Sequence, residues 1–380
     1  MRKHLGSLIG VMFLSVAIPA HGEYVLSSGA RGDIFTDDQR PATDGFELTM
    51  PIGIAYRHAR YSISVETAYS HATVHPGADA DAELGGITDT LLSAMYVQNF
   101  PKHRAALIAS LDVNLPTGPE HLTERERVAE IGESNDLVEV DNFGDGFNVS
   151  VSLGFMRDFQ KTSLGAQAAY VYKGAYDPTA EQTDDELDPG DQILGVVLGG
   201  WQASSRISLD AFVSCSYFLP DTVNAQETFQ QGANVVIGGN FRYKPDPVGI
   251  TISLQGTAQR KNSVLIDEAL QTEEDKSSGS NLFGLTDLTY QASPKLLLRV
   301  LGDVRYYGET ELKQGEANLP FKGQRVRYAI GPGAIYAVNK SLSCDGLAKW
   351  LIMRQEPDIR HDEEVTYQGV NMDVGCTFTF

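Results

Sequence analysis

Apolar residues recur at every second position in stretches of about ten residues along this chain. One such stretch, residues 46–57, puts six apolar side chains on one face and mostly small or polar side chains on the other. A period of two is the period of a β-strand. Similar stretches follow at residues 61–69, 107–115, 147–155, 207–217 and 250–258. The pattern predicts a chain built mainly of strands that are apolar on one face.

The end of the chain separates a membrane barrel from a β-sandwich, whose strands also alternate. From Val370 to Phe380, six apolar residues alternate without a break with five polar or small ones, and the last residue is aromatic. This pattern resembles the terminal strand signal of bacterial outer-membrane proteins. We therefore favour a barrel and keep the sandwich as the alternative.

Connection lengths predict the strand count and the orientation. Outer-membrane barrels have short periplasmic turns and long external loops. Short turns are predicted at His58–Ala59, Pro101–Arg104, Asp158–Lys161, Gln202–Arg206, Pro245–Val248, Ala292–Lys295 and Val338–Lys340. With a first strand at Glu23–Arg31 and a last one at Phe380, the fold class is an all-β, transmembrane, antiparallel up-and-down β-barrel of about 16 strands. Residues 87–98 and 281–291 alternate poorly, so 14 strands with an N-terminal plug is the alternative.

The start of the chain predicts its destination. Arg2 and Lys3 precede an apolar run from Leu8 to Ala20, and small residues lie before Glu23. This arrangement is typical of a cleaved secretory signal at residues 1–22, with an N-terminal membrane anchor as the alternative. Residues 23–380 then form a single barrel domain in the bacterial outer membrane.

Composition narrows the functional classes. The chain has 30 Lys and Arg against 50 Asp and Glu, a formal net charge of -20, which argues against nucleic-acid binding. Only 3 Cys argue against a disulfide scaffold. Mean hydropathy is -0.20, and no apolar run after the leader is long enough for a membrane helix. Acid concentrates in the long loops, where we expect a solvated surface; divalent cations bridging to lipopolysaccharide are the alternative.

Ionisable residues on the polar faces of the strands are the candidate pore lining. The candidates are Arg299, Arg305, Arg325, Arg327, Glu66, Asp112, Asp303 and Asp345. Three of them, Arg305, Arg325 and Arg327, are expected to meet near the outer mouth. They would attract anionic solutes such as aromatic carboxylates, or form salt bridges to Asp303, Asp345 and loop carboxylates. The sequence leaves both roles open.

Three short motifs carry a family resemblance: Gly85 to Thr90, Asp112 to Gly118 and Phe143 to Gly146. They resemble the putative outer-membrane transporter family associated with the meta pathway of phenol and aromatic degradation. The resemblance implies passage of small, often hydrophobic organic compounds across the outer membrane. It implies no catalytic residues, because the motifs mark the ends of hairpins.

An enzyme or a metal site is weakly indicated. No histidine lies in a recognisable hydrolase motif. His71 and His75, with Asp79, Asp81 and Glu83, could surround a metal in one loop, but we favour a solvated loop because the spacing is irregular. We predict no catalytic residues, no metal and no cofactor.

The predicted function is passive uptake of small organic compounds, hydrophobic, aromatic or anionic, through an outer-membrane channel. The longest connection, residues 117–144, is expected to fold partly into the lumen, with a capping box at Thr123 and Glu126 opening a helix through Val128 to Ile131. Alternatives are a structural or adhesive barrel with a closed lumen and an outer-membrane hydrolase. Expected partners are outer-membrane lipid and lipopolysaccharide, the solute, and the assembly machinery through the strand ending at Phe380, with no nucleic acid; the oligomeric state is open.

Two cysteines test the strand register. Cys344 and Cys376 lie on the apolar faces of the last two strands, and the centre of the loop between them predicts that they are nearly opposite each other. Opposite residues are within disulfide range. A bridge and two free thiols both fit the sequence, with Cys215 unpaired in either case.

Overall fold

The computed structural model describes residues 22–39, 42–76, 81–119, 121–123, 125–126, 129, 144, 146–177, 186–310, 323–357 and 363–380. The predicted signal peptide falls almost entirely outside these residues. No described helix has the length and apolar character needed to cross a membrane.

The described residues form 22 strands, numbered in chain order, and a 3₁₀ helix at Pro101–His103. The wall strands are β1 (Glu23–Asp37), β2 (Thr43–Arg57), β3 (Tyr61–Pro76), β4 (Ala82–Ile87), β5 (Thr90–Phe100), β6 (Ala105–Leu115), β7 (Asn148–Phe159), β8 (Thr162–Lys173), β10 (Gln192–Gln202), β11 (Ile207–Phe218), β14 (Asn234–Tyr243), β15 (Val248–Gln259), β18 (Asn281–Ser293), β19 (Leu296–Tyr307), β20 (Arg325–Ala337), β21 (Leu342–Gln355) and β22 (Val365–Thr379). Five short strands lie outside the wall: β9 (Leu187–Asp188), β12 (Asp221–Val223), β13 (Gln226–Gln230), β16 (Ser263–Ile266) and β17 (Ala269–Thr272).

The wall closes on itself. Strand β1 pairs antiparallel with β2 on one side and with β22, the last strand, on the other. At the seam, the Tyr24 amide donates to the Phe380 carbonyl at 2.9 Å, and the Phe380 amide donates back to the Tyr24 carbonyl at 3.0 Å. Strands β4 and β5 are two pieces of one wall strand, since both pair with β3. The result is a closed antiparallel barrel of 16 strands, as predicted, and the 14-strand alternative is wrong.

Alternation places apolar side chains outside the barrel and small or polar ones inside. On β22, the outward Val374 is 61% exposed, whereas the inward Asn371 is 1% exposed. Exposed aromatic side chains on the outer face lie near both ends of the strands, for example Tyr61 and Phe100 at one end and Tyr172 and Tyr217 at the other. An apolar band between two aromatic girdles is the surface that a lipid bilayer requires of a barrel.

The seven predicted short turns are confirmed. They span residues 58–60, 101–104, 160–161, 203–206, 244–247, 294–295 and 338–341, and all lie at the same end of the barrel. We call this the short-turn end and the opposite one the long-loop end.

Two strands differ from the sequence prediction. Strand β1 continues past Arg31 to Asp37, because alternation persists: Ile34 and Thr36 are exposed on the outer face, and Asp33, Phe35 and Asp37 are buried inside. Residues 87–98, expected to be one weak strand, are divided between β4 and β5 by Thr88 and Asp89. The register on β3 shifts by one residue across this break, so one extra residue is inserted into the wall.

The break remains hydrogen bonded. The Thr88 amide donates to the Ala68 carbonyl at 2.8 Å, and the Ala68 amide donates to the Thr88 hydroxyl at 3.1 Å. A side-chain hydroxyl thus replaces a ladder carbonyl, which keeps the backbone of β3 satisfied inside the wall.

A second, five-stranded sheet at the long-loop end, in the order β17, β16, β13, β12 and β9, was not predicted. Buried carboxylates hold the loops around it. Asp221 accepts a hydrogen bond from the Gly190 amide at 2.6 Å, and burial raises the pKa of this carboxyl above its usual value. Glu273 accepts from the amides of Asn262 and Ser277 at 2.8 and 3.0 Å. These loops are therefore tied down by side chains as well as by backbone pairing.

The closing hairpin has the register that the cysteines predict. Cys344 and Cys376 are direct cross-strand partners of β21 and β22, with Cα atoms 4.1 Å apart, and they form a disulfide. Cys215 is free and exposed on the outer face of β11.

Thiol counting tests this bond. Denatured but unreduced protein should react with one equivalent of maleimide per chain, at Cys215, and with three after reduction, because only the bridged sulfurs are shielded from alkylation. Cys215→Ser should bring the unreduced count to zero. Three reactive thiols in unreduced protein isolated from an oxidising compartment would show that Cys344 and Cys376 are not bridged.

Candidate functional site

All eight residues predicted to line the lumen have inward-facing positions. Along each strand they alternate with exposed apolar residues of the outer face, as Arg327 does with Tyr328 and Ile330. The inward positions are Glu66 on β3, Asp112 on β6, Arg299, Asp303 and Arg305 on β19, Arg325 and Arg327 on β20, and Asp345 on β21. The structure brings some of these together and leaves others apart.

A cluster of cations surrounds Asp303. Arg305 and Arg327 are direct cross-strand partners. Asp303 Oδ1 lies 3.7 Å from Arg305 Nε and 3.7 Å from Arg327 Nη1, and Asp303 Oδ2 lies 3.7 Å from Lys349 Nζ. The side chains of Asp303 and Arg327 are each 2% exposed. We name Asp303, Arg305, Arg327 and Lys349 the cation cluster; of these four described residues, three are basic and one is acidic.

Aromatic rings accompany the arginines of this region. The guanidinium carbon of Arg305 lies 5.5 Å from the ring centre of Phe283, and that of Arg325 lies 5.1 Å from the ring centre of Tyr307. Both rings have inward positions, on β18 and β19. A cation over an aromatic face is attracted by the ring quadrupole. This part of the wall therefore presents positive charge and flat apolar surface side by side.

Arg299 belongs to a separate pair. Its Nη2 donates to Asp287 Oδ2 at 2.7 Å, and its Nε donates to Asp287 Oδ1 at 3.3 Å, which is a two-pronged carboxylate contact. Asp287 was missed because the alternation of its strand is weak. The signal that could have found it is the strand register: Asp287 is the cross-strand partner of Leu301, which is two residues from Arg299 on the same strand.

A salt bridge from the arginines to Asp345, which belonged to one of the two roles that the sequence left open, is not formed. Among the described residues Asp345 has an exposed side chain and no ion pair. The physical reason is its height, because Asp345 lies near the short-turn end and Arg305, Arg325 and Arg327 lie near the long-loop end. Glu66 is likewise exposed, and Asp112 is half-buried.

A second polar cluster joins the first and last strands. Arg31 Nε donates to Asp33 Oδ2 at 2.9 Å, and Asn371 Nδ2 donates to Asp33 Oδ1 at 2.7 Å. Asp373 Oδ1 lies 3.8 Å from Arg31 Nε. Sequence reasoning missed this cluster because it ended the first strand at Arg31.

The long connection after β6 reaches into the barrel, as predicted. Leu122 is 4% exposed and Ala129 is 1% exposed, and both belong to one apolar cluster with inward wall residues. The other members are Phe35, Val74, Ala82, Leu84, Ala329, Leu351, Met353, Val365 and Tyr367. The predicted capping box is present, since the Thr123 amide donates to Glu126 Oε2 at 2.8 Å and the Glu126 amide donates to Thr123 Oγ1 at 3.2 Å. Val128 and Ile131 lie outside the described residues.

The three sequence motifs meet at Asp89. Its Oδ2 accepts from Asn114 Nδ2 at 2.7 Å, and its Oδ1 accepts from the Gly118 amide at 3.0 Å. Asn114 Nδ2 also donates to the Gly146 carbonyl at 2.8 Å. A Cβ on Gly118 would lie 3.1 Å from Asp89 Oδ1 and 3.1 Å from the Gly144 nitrogen, so a larger residue would push these atoms apart by a few tenths of an ångström. Asp89 thus fixes the start of the connection that enters the lumen, and Asn114 links this point to Gly146 at its end.

The two histidines with possible metal partners lie beside carboxylates. At the loop-side end of β3, His75 Nδ1 lies 2.7 Å from Asp81 Oδ1, and this carboxylate raises the pKa of His75. His71 Nε2 lies 3.9 Å from Glu83. No group of three potential ligands is close enough to hold a metal within the described ranges, and Asp79 lies outside them.

Taken together, a closed barrel of 16 strands, an apolar band, aromatic girdles and a polar lumen define a transmembrane β-barrel of the Gram-negative outer-membrane type. No protein-family model matches the chain, and no curated protein matches it significantly.

Comparison with solved structures finds outer-membrane proteins that align over nearly the whole length, at low identity and low TM-score. An outer membrane channel from Pseudomonas putida F1 is 8% identical, with 96% of this chain and 97% of that chain covered and a TM-score of 0.40. The P. putida toluene transporter TodX is 11% identical over 95% and 91% of the two chains, with a TM-score of 0.44. OccAB3 from Acinetobacter baumannii is 11% identical over 95% and 100%, with a TM-score of 0.45. At these values the likeness carries no argument about the function of this chain.

Removing the Asp89 carboxylate should loosen the connection that it anchors. In Asp89→Ala, loss of two hydrogen bonds to a charged group should make trypsin cleavage after Arg125 or Arg127 about tenfold faster or more in the folded barrel. Glu83→Gln, which changes an exposed carboxylate on the neighbouring strand, is the control. Equal cleavage rates for Asp89→Ala and wild type would contradict the anchoring role.

Proposed function

We propose that this barrel is a passive channel for small organic solutes and that it favours anionic, aromatic ones. The observation that carries the proposal is the cation cluster on the inward face at the long-loop end. A channel selects ions by the charges that line its pore. Positive charge at this place would draw anions from the mouth into the lumen.

The positive charge of the cation cluster contrasts with the negative charge of the chain as a whole. The chain has a formal net charge of -20, and residues 174–190 carry six acids and no Lys or Arg. The field around the loops therefore repels anions in general, and it falls off over about 8 Å at physiological salt. Cations inside the barrel would offset this repulsion for those anions that reach the lumen.

The aromatic rings support the aromatic part of the proposal. Phe283 and Tyr307 lie under the guanidinium groups of Arg305 and Arg325. A planar solute with a carboxylate could contact a ring face and a guanidinium together. The resemblance of three motifs to the transporter family of phenol and aromatic degradation implies small, often hydrophobic organic solutes, which agrees with the aromatic part of the proposal.

A closed-lumen barrel with a structural role is the second candidate, and it has its own observation. Inward side chains at the long-loop end are buried, among them Arg327, Leu351, Met353 and Tyr367, and Leu122 packs with three of them. Passage therefore requires a path beside the apolar cluster or a displacement of Leu122. Conductance separates the two candidates.

Single-channel recording of the refolded barrel in a planar bilayer tests passage and the role of Leu122. We expect a steady conductance for wild type and an increase of about twofold or more for Leu122→Asn, because a polar side chain no longer packs in the apolar cluster. His121→Gln changes the exposed neighbour and should leave conductance unchanged. No conductance in wild type and Leu122→Asn alike would favour the closed-lumen barrel.

The reversal potential under a salt gradient tests selectivity. The triple variant Arg305→Ala, Arg325→Ala, Arg327→Ala should lower the ratio of anion to cation permeability by about threefold or more, because positive charge leaves the lumen. Arg354→Ala removes an exposed arginine from the outer face of β21 and is the matched control. An unchanged ratio together with lower heat resistance would mean that the three arginines only hold the wall together.

A further inference from the structure

The short-turn end carries a basic ring that the proposed transport role does not use. Each of the seven turns has at least one Lys or Arg within it, and all seven lie in described parts of the chain. The members of the ring, counting Arg57 and Arg157 on the strands beside the turns, are Arg57, Arg60, Lys102, Arg104, Arg157, Lys161, Arg206, Lys244, Lys295 and Lys340. The acids within three residues of the turns are Asp158 and Asp246, and Glu23 lies at the same end at the start of β1. Further along the strands, Arg242 pairs with Asp210, and Asp345 has an inward position. A chain with 50 acids and 30 bases thus reverses its charge here.

The charges of the basic ring are available to a partner. Nine of the ten side chains are exposed, and Arg57 is half-buried. None makes an ion pair with a carboxylate of the described residues. Their contacts are local ones, such as Arg157 over the Phe159 ring at 5.0 Å and Lys295 Nζ to the Val338 carbonyl at 3.2 Å.

The height of the basic ring relative to the membrane follows from the aromatic girdle. Exposed outer-face aromatics lie just above the turns, most within four residues of one. They are Tyr24, Tyr61, Tyr96, Phe100, Phe159, Trp201, Phe241, Tyr290, Tyr336, Phe378 and Phe380. Aromatic girdles of membrane barrels lie at the boundary between hydrocarbon and headgroups. The basic ring lies just beyond this boundary, at the level of the lipid phosphates.

We propose that the basic ring binds the headgroups of anionic glycerophospholipids in the leaflet at the short-turn end. Lys and Arg donate hydrogen bonds to phosphate oxygens, and a cation near an anionic membrane surface gains binding energy that salt screens. Because every turn contributes, the shell of lipid around this end is enriched in anionic lipid all the way around the barrel. The long-loop end, with its acidic loops, has no such preference.

The two tryptophans provide a reporter for each leaflet. The chain has 2 Trp, and both are exposed on the outer face. Trp201 lies at the end of β10 beside the turn, and Trp350 is eight residues from the start of β21. Their heights along the barrel axis differ by roughly 20 Å. Lys161, Arg206 and Lys244 lie on the three neighbouring turns around Trp201, which are joined by hydrogen bonds from Gln202 to Lys161 and from Lys244 to Arg206.

The test measures quenching of tryptophan fluorescence by lipids with brominated acyl chains. Full-length Trp350→Phe and Trp201→Phe proteins are placed in phosphatidylcholine bilayers that contain brominated phosphatidylglycerol or brominated phosphatidylcholine. At Trp201, quenching should give a binding constant for the anionic lipid that is about threefold or more that of phosphatidylcholine. This ratio should fall toward one in 1 M NaCl. At Trp350 it should be near one.

Matched charge variants complete the test in the Trp350→Phe background. Lys161→Gln, Arg206→Gln, Lys244→Gln together should abolish the preference at Trp201. Arg60→Gln, Lys102→Gln, Lys340→Gln together remove three charges from the distant part of the ring and should preserve it. A ratio near one at Trp201 in the parent, an equal preference at Trp350, or a preference that survives the first triple variant would each overturn the proposal.

Discussion

A bilayer cannot hydrogen bond to a peptide group, and every other feature of this barrel depends on that constraint. The pairing of β1 with β22 removes the last free edge of the wall. Where a proline lacks its amide, the ladder is interrupted locally and then resumes in the same register. Around Pro51, the pairing of β1 with β2 is interrupted between the pair Ser28–Ile52 and the pair Arg31–Thr49. Around Pro332, the pairing of β20 with β21 is interrupted between the pair Ile330–Trp350 and the pair Gly333–Leu347.

Closure also decides which charges meet inside. Antiparallel pairing sets Arg305 opposite Arg327, a like-charge arrangement that is unfavourable by itself. Asp303, two residues along the same face from Arg305, lies 3.7 Å from a nitrogen of each. Loss of this carboxylate would remove a counterion from two neighbouring guanidinium groups, and a broken buried pair costs more than the pair contributes when intact. The acid is therefore as necessary to the cation cluster as its bases.

The alternation of apolar and polar residues predicted most of the barrel wall, but it predicted few of the side-chain contacts inside the barrel. The turns, the inward set and the cysteine register follow from a period of two and from short connections, both of which are properties of neighbours in sequence. The bond from Asn371 to Asp33 joins residues 338 positions apart, and the pair of Arg299 and Asp287 depends on a strand with weak alternation. The meeting of three motifs at Asp89 depends on the one-residue shift beside β3, which no periodicity shows. Such contacts depend on the shear of the whole sheet, which is the stagger of the strand register around the barrel. The sequence of a single strand does not determine this stagger.

Charge changes sign along the barrel axis, and this bears on transport and on lipid binding alike. Acid dominates the long loops, the cation cluster lies inside toward that end, and the basic ring surrounds the exit. In the proposed channel an anion would meet the repulsion of the acidic loops at the mouth, where salt screens it within about 8 Å. Two sets of charges beyond the mouth, the cation cluster and the basic ring, include more cations than anions among the described residues. If anionic lipid covers the basic ring on the outside of the barrel, it also lowers the attraction that would hold the solute at the exit. Lipid composition would then change the rate at which an anion leaves the channel, without any contact between lipid and solute.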